Sequence, residues 1–272
     1  MGLPPNPLND FPPTQPEYVP VTGPAQVIPK SEEDPPWTGW DVLFIVAVTV
    51  GASFVLELAV IFGAEALAYG HTSWASLARK PELLLLTQLL AYIVVLAVMY
   101  WLVAGKTGQF WNPVRWRWPV RWPAFLFGGA ILYFGLAGLG QLLPIPKQLP
   151  IDRFFANSRE ATIMSIFAVT FAPFMEELFF RGFLYPVLAR RLGVLASIGL
   201  TSAAFGILHD PQLGYSWAVL IIFLVGVVLT TVRAITKSVA ASFLIHVGYN
   251  GTLSLLMYVE TGGFRHLERL SQ

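Results

Sequence analysis

The chain has 272 residues, of which 55% are hydrophobic and only 12% are charged. Soluble domains carry about 25% charged residues, so this composition excludes an ordinary soluble domain and indicates a polytopic membrane protein. The net charge of +1 gives no argument for a nucleic-acid partner. Because the chain has no cysteine, disulfides, thiol nucleophiles and thiolate-bound metals are excluded.

Residues 1–37 differ in composition from the rest of the chain. They contain eleven prolines, scattered polar residues and an acidic cluster at Glu32, Glu33 and Asp34. Proline fixes φ and lacks an N–H group, so this segment is expected to be a disordered or polyproline-like tail. It has neither the basic start nor the apolar stretch of a signal peptide, and we expect a flexible cytoplasmic tail.

Seven segments that follow the tail are candidates for membrane helices, since a span needs about 20 mostly apolar residues. In chain order they are 40–67, 83–104, 123–143, 161–188, 195–209, 215–235 and 239–259. The third is rich in glycine, which permits close approach of helices. The fourth is long enough for one tilted helix or for two pieces broken near Pro173, and the fifth is short for a full span. We therefore predict an all-α bundle of seven or eight transmembrane helices, with N-terminal helices in 38–159, a core in 160–259 and a short tail in 260–272.

The basic residues give a weak indication of orientation. With seven spans, one side of the membrane collects Lys30, Lys106, Arg115, Arg117, Arg121, Arg190, Arg191, Arg233 and Lys237. The other side collects Arg79, Lys80, Lys147, Arg153, Arg159, Arg265 and Arg269. This small bias favours the first side, with the N-terminus, as cytoplasmic.

Residues 111–122 alternate tryptophan with arginine. Such a pattern could stack on nucleic-acid bases. In a membrane protein, tryptophan and arginine are the usual anchors at the lipid–water interface, so we interpret the segment as an interfacial loop and expect no nucleic-acid partner.

Three charged residues lie inside the fourth candidate span: Glu176, Glu177 and Arg181. One charge at the centre of a membrane helix costs about 2.5–3.5 kcal/mol, so three facing lipid would cost on the order of 8–10 kcal/mol. Residues four apart share a helical face, which favours an ion pair between Glu177 and Arg181. Glu176 is rotated by about 100° from Glu177. It is therefore predicted to be the reactive carboxylate.

Two further motifs follow in later spans, Phe205-x-x-x-His209 and His246-x-x-x-Asn250. Each alone is a weak signal, since a single histidine is explained by helix capping or by hydrogen bonds between helices. A glutamate with two histidines is, however, a set used to activate water, with or without Zn²⁺. The motifs His-Glu-x-x-His, Gly-x-Ser-x-Gly and Gly-x-Gly-Asp are absent, which leaves zincin, serine-hydrolase and aspartyl intramembrane protease activities without local support.

In their order and spacing, these motifs resemble the CAAX protease and bacteriocin-processing family of intramembrane endopeptidases, which includes the Ras-converting enzyme of eukaryotes. The signature of that family is Glu-Glu-x-x-x-Arg, then Phe-x-x-x-His, then His-x-x-x-Asn. In this chain the resemblance covers roughly residues 160–255. The resemblance implies that Glu176 and His209 activate a water, that His246 and Asn250 stabilise the oxyanion, and that Glu177 and Arg181 hold the helix geometry. Members are often classed as metalloproteases. We favour a water activated without a tightly bound metal, the alternative being Zn²⁺ held by Glu176, His209 and His246.

The resemblance also implies a membrane-associated peptide or protein as substrate, and the lipid bilayer as environment. Eukaryotic relatives cut prenylated CAAX proteins, and bacterial relatives are implicated in processing bacteriocins or signal peptides, or in self-immunity. We expect a multi-pass protein of a bacterial cell membrane. Two alternatives remain at this point, a non-catalytic scaffold or immunity protein that keeps the motifs for structure, and a proton-coupled transporter. The transporter is disfavoured by the lack of an internal repeat.

Overall fold

The computed structural model describes residues 1–2, 34–69 and 73–271, and from residue 34 onward these form helices joined by turns, with no strand among them. The all-α prediction is thereby confirmed. The predicted disorder of the proline-rich tail falls mainly on residues 3–33, which lie outside the described residues.

The helices follow the predicted segments closely. They are α1 Gly39–Ala64, α2 Trp74–Leu77, α3 Pro81–Thr107, α4 Trp122–Gly140, α5 Ser158–Val169, α6 Phe171–Glu177, α7 Tyr185–Leu192, α8 Val194–His209, α9 Ala218–Thr236 and α10 Val239–Glu260. Short 3-10 helices occur at Pro150–Phe155, Asp210–Gln212 and Leu267–Ser271, and π-helical turns at Glu65–Tyr69 and Leu178–Leu184.

Six of the described helical segments are long and apolar enough to cross a membrane: Gly39–Leu67, Pro81–Thr107, Trp122–Gly140, Ser158–Leu192, Ala218–Thr236 and Val239–Glu260. The chain is therefore an integral membrane protein. The fifth predicted segment is also a helix, α8, but its 16 residues make it shorter than a full span. The predicted count of seven or eight thus agrees roughly with the structure.

The fourth predicted span forms one long helical path of 35 residues, Ser158–Leu192, with two distortions. The first is at Thr170, whose backbone angles of φ −115° and ψ −69° separate α5 from α6. Pro173 accounts for this break, since it has no N–H to donate to the carbonyl group four residues earlier. The second distortion is the π-helical turn that follows Glu177. It changes the rotation of the residues around Arg181, and π-helical turns are frequent at functional sites.

Helices α4 and α10 cross at very close range. A Cβ atom added to Gly129 of α4 would overlap the carbonyl oxygen of Ile245, and one added to Gly248 of α10 would overlap that of Leu126. Four other glycines of the third predicted span, Gly128, Gly135, Gly138 and Gly140, have no described atom from outside their own helix within 4 Å of such a Cβ. Only Gly129 among them serves the close approach that composition predicted, and this contact helps to fix the position of α10.

Candidate functional site

The two adjacent glutamates at the end of α6 have different surroundings. The Glu177 side chain is fully buried, and its Oε1 lies 2.8 Å from Nη1 of Arg181. The Glu176 side chain is 20% exposed and its carboxylate faces two histidines at more than hydrogen-bond length. One glutamate is therefore held in an ion pair, while the other is accessible.

Arg181 connects the π-helical turn to two other helices. Its Nε donates to Oγ1 of Thr230 at 3.2 Å, and its Nη2 donates to the carbonyl oxygen of Gly226 at 3.2 Å, both on α9. Its guanidinium carbon lies 4.6 Å from the centre of the Phe205 ring on α8. A buried charge is costly unless it is paired and hydrogen-bonded. Arg181 meets this condition and so holds three elements in fixed relation.

His246 on α10 lies between the two glutamates. Its Nδ1 is 2.9 Å from Oε1 of Glu177, and its Nε2 is 3.7 Å from Oε2 of Glu176. Because the ionised carboxylate of Glu177 only accepts hydrogen bonds, Nδ1 must carry the hydrogen and donate it. Glu177 thus orients the imidazole, whose Nε2 is directed toward Glu176.

His209, at the end of α8, is oriented in a similar way by a backbone group. Its Nδ1 lies 2.7 Å from the carbonyl oxygen of Phe205, and a carbonyl oxygen only accepts. The hydrogen therefore resides on Nδ1, and Nε2 lies 3.9 Å from Oε1 of Glu176. The four-residue spacing of Phe205 and His209 matters here because it brings this carbonyl group to the imidazole.

Glu176, His209 and His246 consequently direct three acceptor groups, a carboxylate and two imidazoles, toward one region. The separations of 3.7 and 3.9 Å exceed hydrogen-bond length. In the neutral tautomers described above, both imidazole Nε2 atoms carry lone pairs, as does the carboxylate. Such a group of acceptors suits a molecule that donates two hydrogen bonds, which water does.

Asn250, the fourth predicted site residue, lies one turn after His246 on α10. Its Nδ2 donates to the carbonyl oxygen of Ala168 at 2.7 Å, near the break between α5 and α6. The structure thus brings Glu176, His209 and His246 together, whereas the described hydrogen bond of Asn250 joins it to the helix that leads to Glu176. An amide nitrogen has two hydrogens, so one N–H remains for a second partner.

A metal site needs several His, Asp or Glu side chains that converge on one ion. Among them no group of three or more His, Asp or Glu side chains is arranged to hold an ion. Glu176, His209 and His246, the zinc ligands of the alternative interpretation, are not among such groups, and the use of a metal stays a prediction.

Three contacts of the site were not predicted from the sequence: the bond from His246 to Glu177, the bond from Arg181 to Thr230, and the bond from Asn250 to the Ala168 carbonyl group. The motif spacing relates residues of one helix only. It contains no signal for partners on another helix, and none for backbone carbonyl groups, which every residue has.

The family model described as type II CAAX prenyl endopeptidase, Rce1-like, matches residues 158–252. This range includes all three motifs and the helices α5 to α9 with most of α10, and the match confirms the resemblance found in the sequence. Neither the curated proteins nor the solved structures include one that matches the chain.

Proposed function

We propose that the protein, whose residues 158–252 match the type II CAAX prenyl endopeptidase family model, is an intramembrane endopeptidase that cuts a membrane-associated substrate with a water activated by Glu176 and His209. The observation that carries this proposal is the convergence of Glu176 with the Nε2 atoms of two oriented histidines, at 3.7 and 3.9 Å. The family implies protease activity in general, and the roles of the individual residues are our proposal.

In the first step, a water donates one hydrogen bond to the carboxylate of Glu176 and the other to Nε2 of His209. As the water oxygen bonds to the carbonyl carbon of the peptide, Glu176 takes its proton. The protonated Glu176 then gives this proton to the leaving amine nitrogen when the C–N bond breaks. A positioned general base contributes about 10²–10⁴-fold to the rate. The 20% exposure of Glu176 is consistent with access of water to the carboxylate.

The negative charge on the carbonyl oxygen requires donors. We assign this role to His246 and to the second N–H of Asn250, as expected from the family pattern. His246 donates from Nε2 only when it is protonated there. In this role His246 keeps its orientation, because its Nδ1–H donates to the Glu177 carboxylate. The Glu177 carboxylate would then accept hydrogen bonds from both Arg181 and His246.

The proposed substrate is a peptide or protein in contact with the bilayer, possessing a bond that reaches the end of α6 from one membrane surface. We propose that the N-terminus is cytoplasmic, because the larger number of basic residues collects on that side. The proposed location is a bacterial cell membrane.

Glu176→Gln is the direct test, since it keeps the shape of the side chain and removes the base. Membrane peptides from cells with the wild-type protein and with this variant are compared by mass spectrometry. We expect peptides that depend on the wild-type protein to disappear, with unchanged protein level and melting temperature, because Glu176 makes no hydrogen bond within the described residues.

Glu57→Gln is the matched control, because it makes the same change in another membrane helix, α1. It should cleave as the wild-type protein does. A Glu176→Gln variant with wild-type cleavage would exclude the mechanism. Full biological activity of that variant would favour the non-catalytic alternative.

A further inference from the structure

The segment 34–38, which we call the N-terminal strap, is attached to the end of the long helical path Ser158–Leu192. Trp37 is only 1% exposed, although it precedes the first membrane helix. Its indole Nε1 donates to the carbonyl oxygen of Phe183 at 3.1 Å. The two rings are stacked, with their centroids 4.6 Å apart and their planes at 27°. Trp37 therefore contacts both the backbone and the side chain of one residue of the path.

A second contact fixes the strap in place. Nη1 of Arg190, on α7, forms an ion pair with Oδ1 of Asp34 at 2.9 Å and donates to the carbonyl oxygen of Pro35 at 3.3 Å. On the other side of the indole, α1 begins at Gly39. The indole thus lies between a segment attached to α7 and a membrane helix, and these two neighbours fix its position.

Phe183 belongs to the π-helical turn Leu178–Leu184, which also contains Arg181. A π-helical turn accommodates one residue more than a regular α-helical path. If it closed to an α-helix, the residues on one side of it would rotate by about 100° relative to those on the other. Because π-helices are rare, contacts from outside must stabilise this turn. Arg181 has such contacts with α9, and Phe183 has them with Trp37.

The geometry of this turn affects the candidate active site. Arg181 pairs at 2.8 Å with Glu177, the residue directly before the turn. Glu177 in turn accepts from Nδ1 of His246 at 2.9 Å and so orients that imidazole. A change in the turn moves Arg181 relative to Glu177, and the hydrogen bond that orients His246 changes with it. Trp37 lies outside residues 158–252, the range of the family match, so the motifs give no indication of such a role.

We propose that Trp37 is a positioning residue of the candidate active site: its hydrogen bond to Phe183 holds the π-helical turn in the geometry that orients His246. This inference rests on the proposed function. An apolar anchor for α1 would need only the ring of Trp37, whereas a positioning residue needs its N–H group as well.

Trp37→Phe separates the two roles, because it keeps an aromatic ring next to Phe183 and removes the N–H group. Trp40→Phe is the matched control, since it makes the same change at a side chain of α1 that is 80% exposed. Cleavage is measured as the rate at which the membrane peptides that depend on the wild-type protein appear after induction of expression. Trp37→Phe should lower this rate about tenfold, which corresponds to about 1.4 kcal/mol and is typical of one lost buried hydrogen bond. Trp40→Phe should cleave as the wild-type protein does.

A second readout does not depend on activity. The chain has only four histidines, so ¹⁵N-histidine labelling gives few NMR signals for the full-length protein in detergent micelles. The signals of His246 are identified by their loss in His246→Gln. We expect Trp37→Phe to displace these signals and to leave those of the exposed His266 unchanged. A residue that only anchors α1 would not displace them.

Slower cleavage by Trp37→Phe together with displaced His246 signals, and wild-type behaviour of Trp40→Phe, supports the proposal. Wild-type cleavage by Trp37→Phe overturns it, as does slower cleavage with unchanged His246 signals or an equal effect in the control. If Trp37→Phe does not accumulate in the membrane, both measurements are made with benzothienylalanine in place of Trp37, which keeps the shape of the indole and has sulfur instead of the N–H group. Identical peptides from the wild-type protein and Glu176→Gln would show that the proposed function itself fails, and this inference with it.

Discussion

The buried ion pair of Glu177 and Arg181 should behave very differently when one partner or both partners are replaced. Both side chains have no exposed surface, and the charged atoms are 2.8 Å apart. Glu177→Gln leaves the guanidinium group of Arg181 buried without its counter-charge, and Arg181→Met leaves the carboxylate of Glu177 in the same condition. Removing one partner of a buried pair costs about 3–5 kcal/mol, so each variant should lose about this much free energy of unfolding.

The double variant, Glu177→Gln with Arg181→Met, leaves no uncompensated charge. It loses the hydrogen bonds of Arg181 to Thr230 and Gly226, but an apolar side chain of similar volume replaces the guanidinium group. Its cost should not exceed that of either single variant. Independent effects would instead add to about 6–10 kcal/mol.

The measurement is reversible unfolding of the purified protein in detergent, followed by circular dichroism against denaturant. Lys106→Gln is the control, because Lys106 and Asp41 also form an ion pair at 2.9 Å, with 41% of the lysine side chain exposed. Breaking an exposed pair should cost less than about 1 kcal/mol. Additive costs in the double variant, or a single variant no less stable than the control, would refute the reasoning.

Other predictions concern the helix crossing and the chemistry of the site. Gly248→Ala should lower stability by about 3 kcal/mol, because its Cβ would overlap the Leu126 carbonyl oxygen and overpacking against backbone is costly. Gly135→Ala, on a helix surface with no described atom from outside its own helix within 4 Å of the Cβ, should be neutral or slightly stabilising in the same unfolding measurement. A strong zinc chelator should leave the cleavage rate unchanged, and loss of cleavage that added Zn²⁺ restores would contradict a water activated without metal. Asn250→Ala should reduce turnover by about 10²–10³-fold, and an unchanged rate would remove it from the oxyanion site.

Much of the architecture follows from composition and length. In lipid a long apolar segment forms a helix whatever lies next to it, because the helix satisfies the backbone hydrogen bonds within the segment. The predicted segments therefore correspond to α1, α3, α4, α8, α9, α10 and the long helical path 158–192. Pro173 also indicated where that path is distorted. Which glycine makes a close crossing was not predictable, because Gly129 differs from Gly135 only in what lies opposite it.

The residue set of the candidate site was predictable for a similar reason. Charges inside a membrane helix are costly, so Glu176, Glu177 and Arg181 are conspicuous, and a spacing of four identifies the pair within one helix. The arrangement around them was not predictable. His246 reaches Glu177 across 69 positions of the chain, and Asn250 reaches the Ala168 carbonyl group across 82.

The sequence alone therefore determined that this is a helical membrane protein and which polar residues face its interior, since both follow from the cost of polar groups in lipid. Only the tertiary structure decided that Glu177 orients His246, that Phe205 orients His209 through its backbone, and that Glu176 faces both imidazoles. These arrangements depend on how the helices are rotated and how they cross. Contacts such as that of Gly129 with α10 establish the crossing, and the residue spacing within one helix carries no information about it.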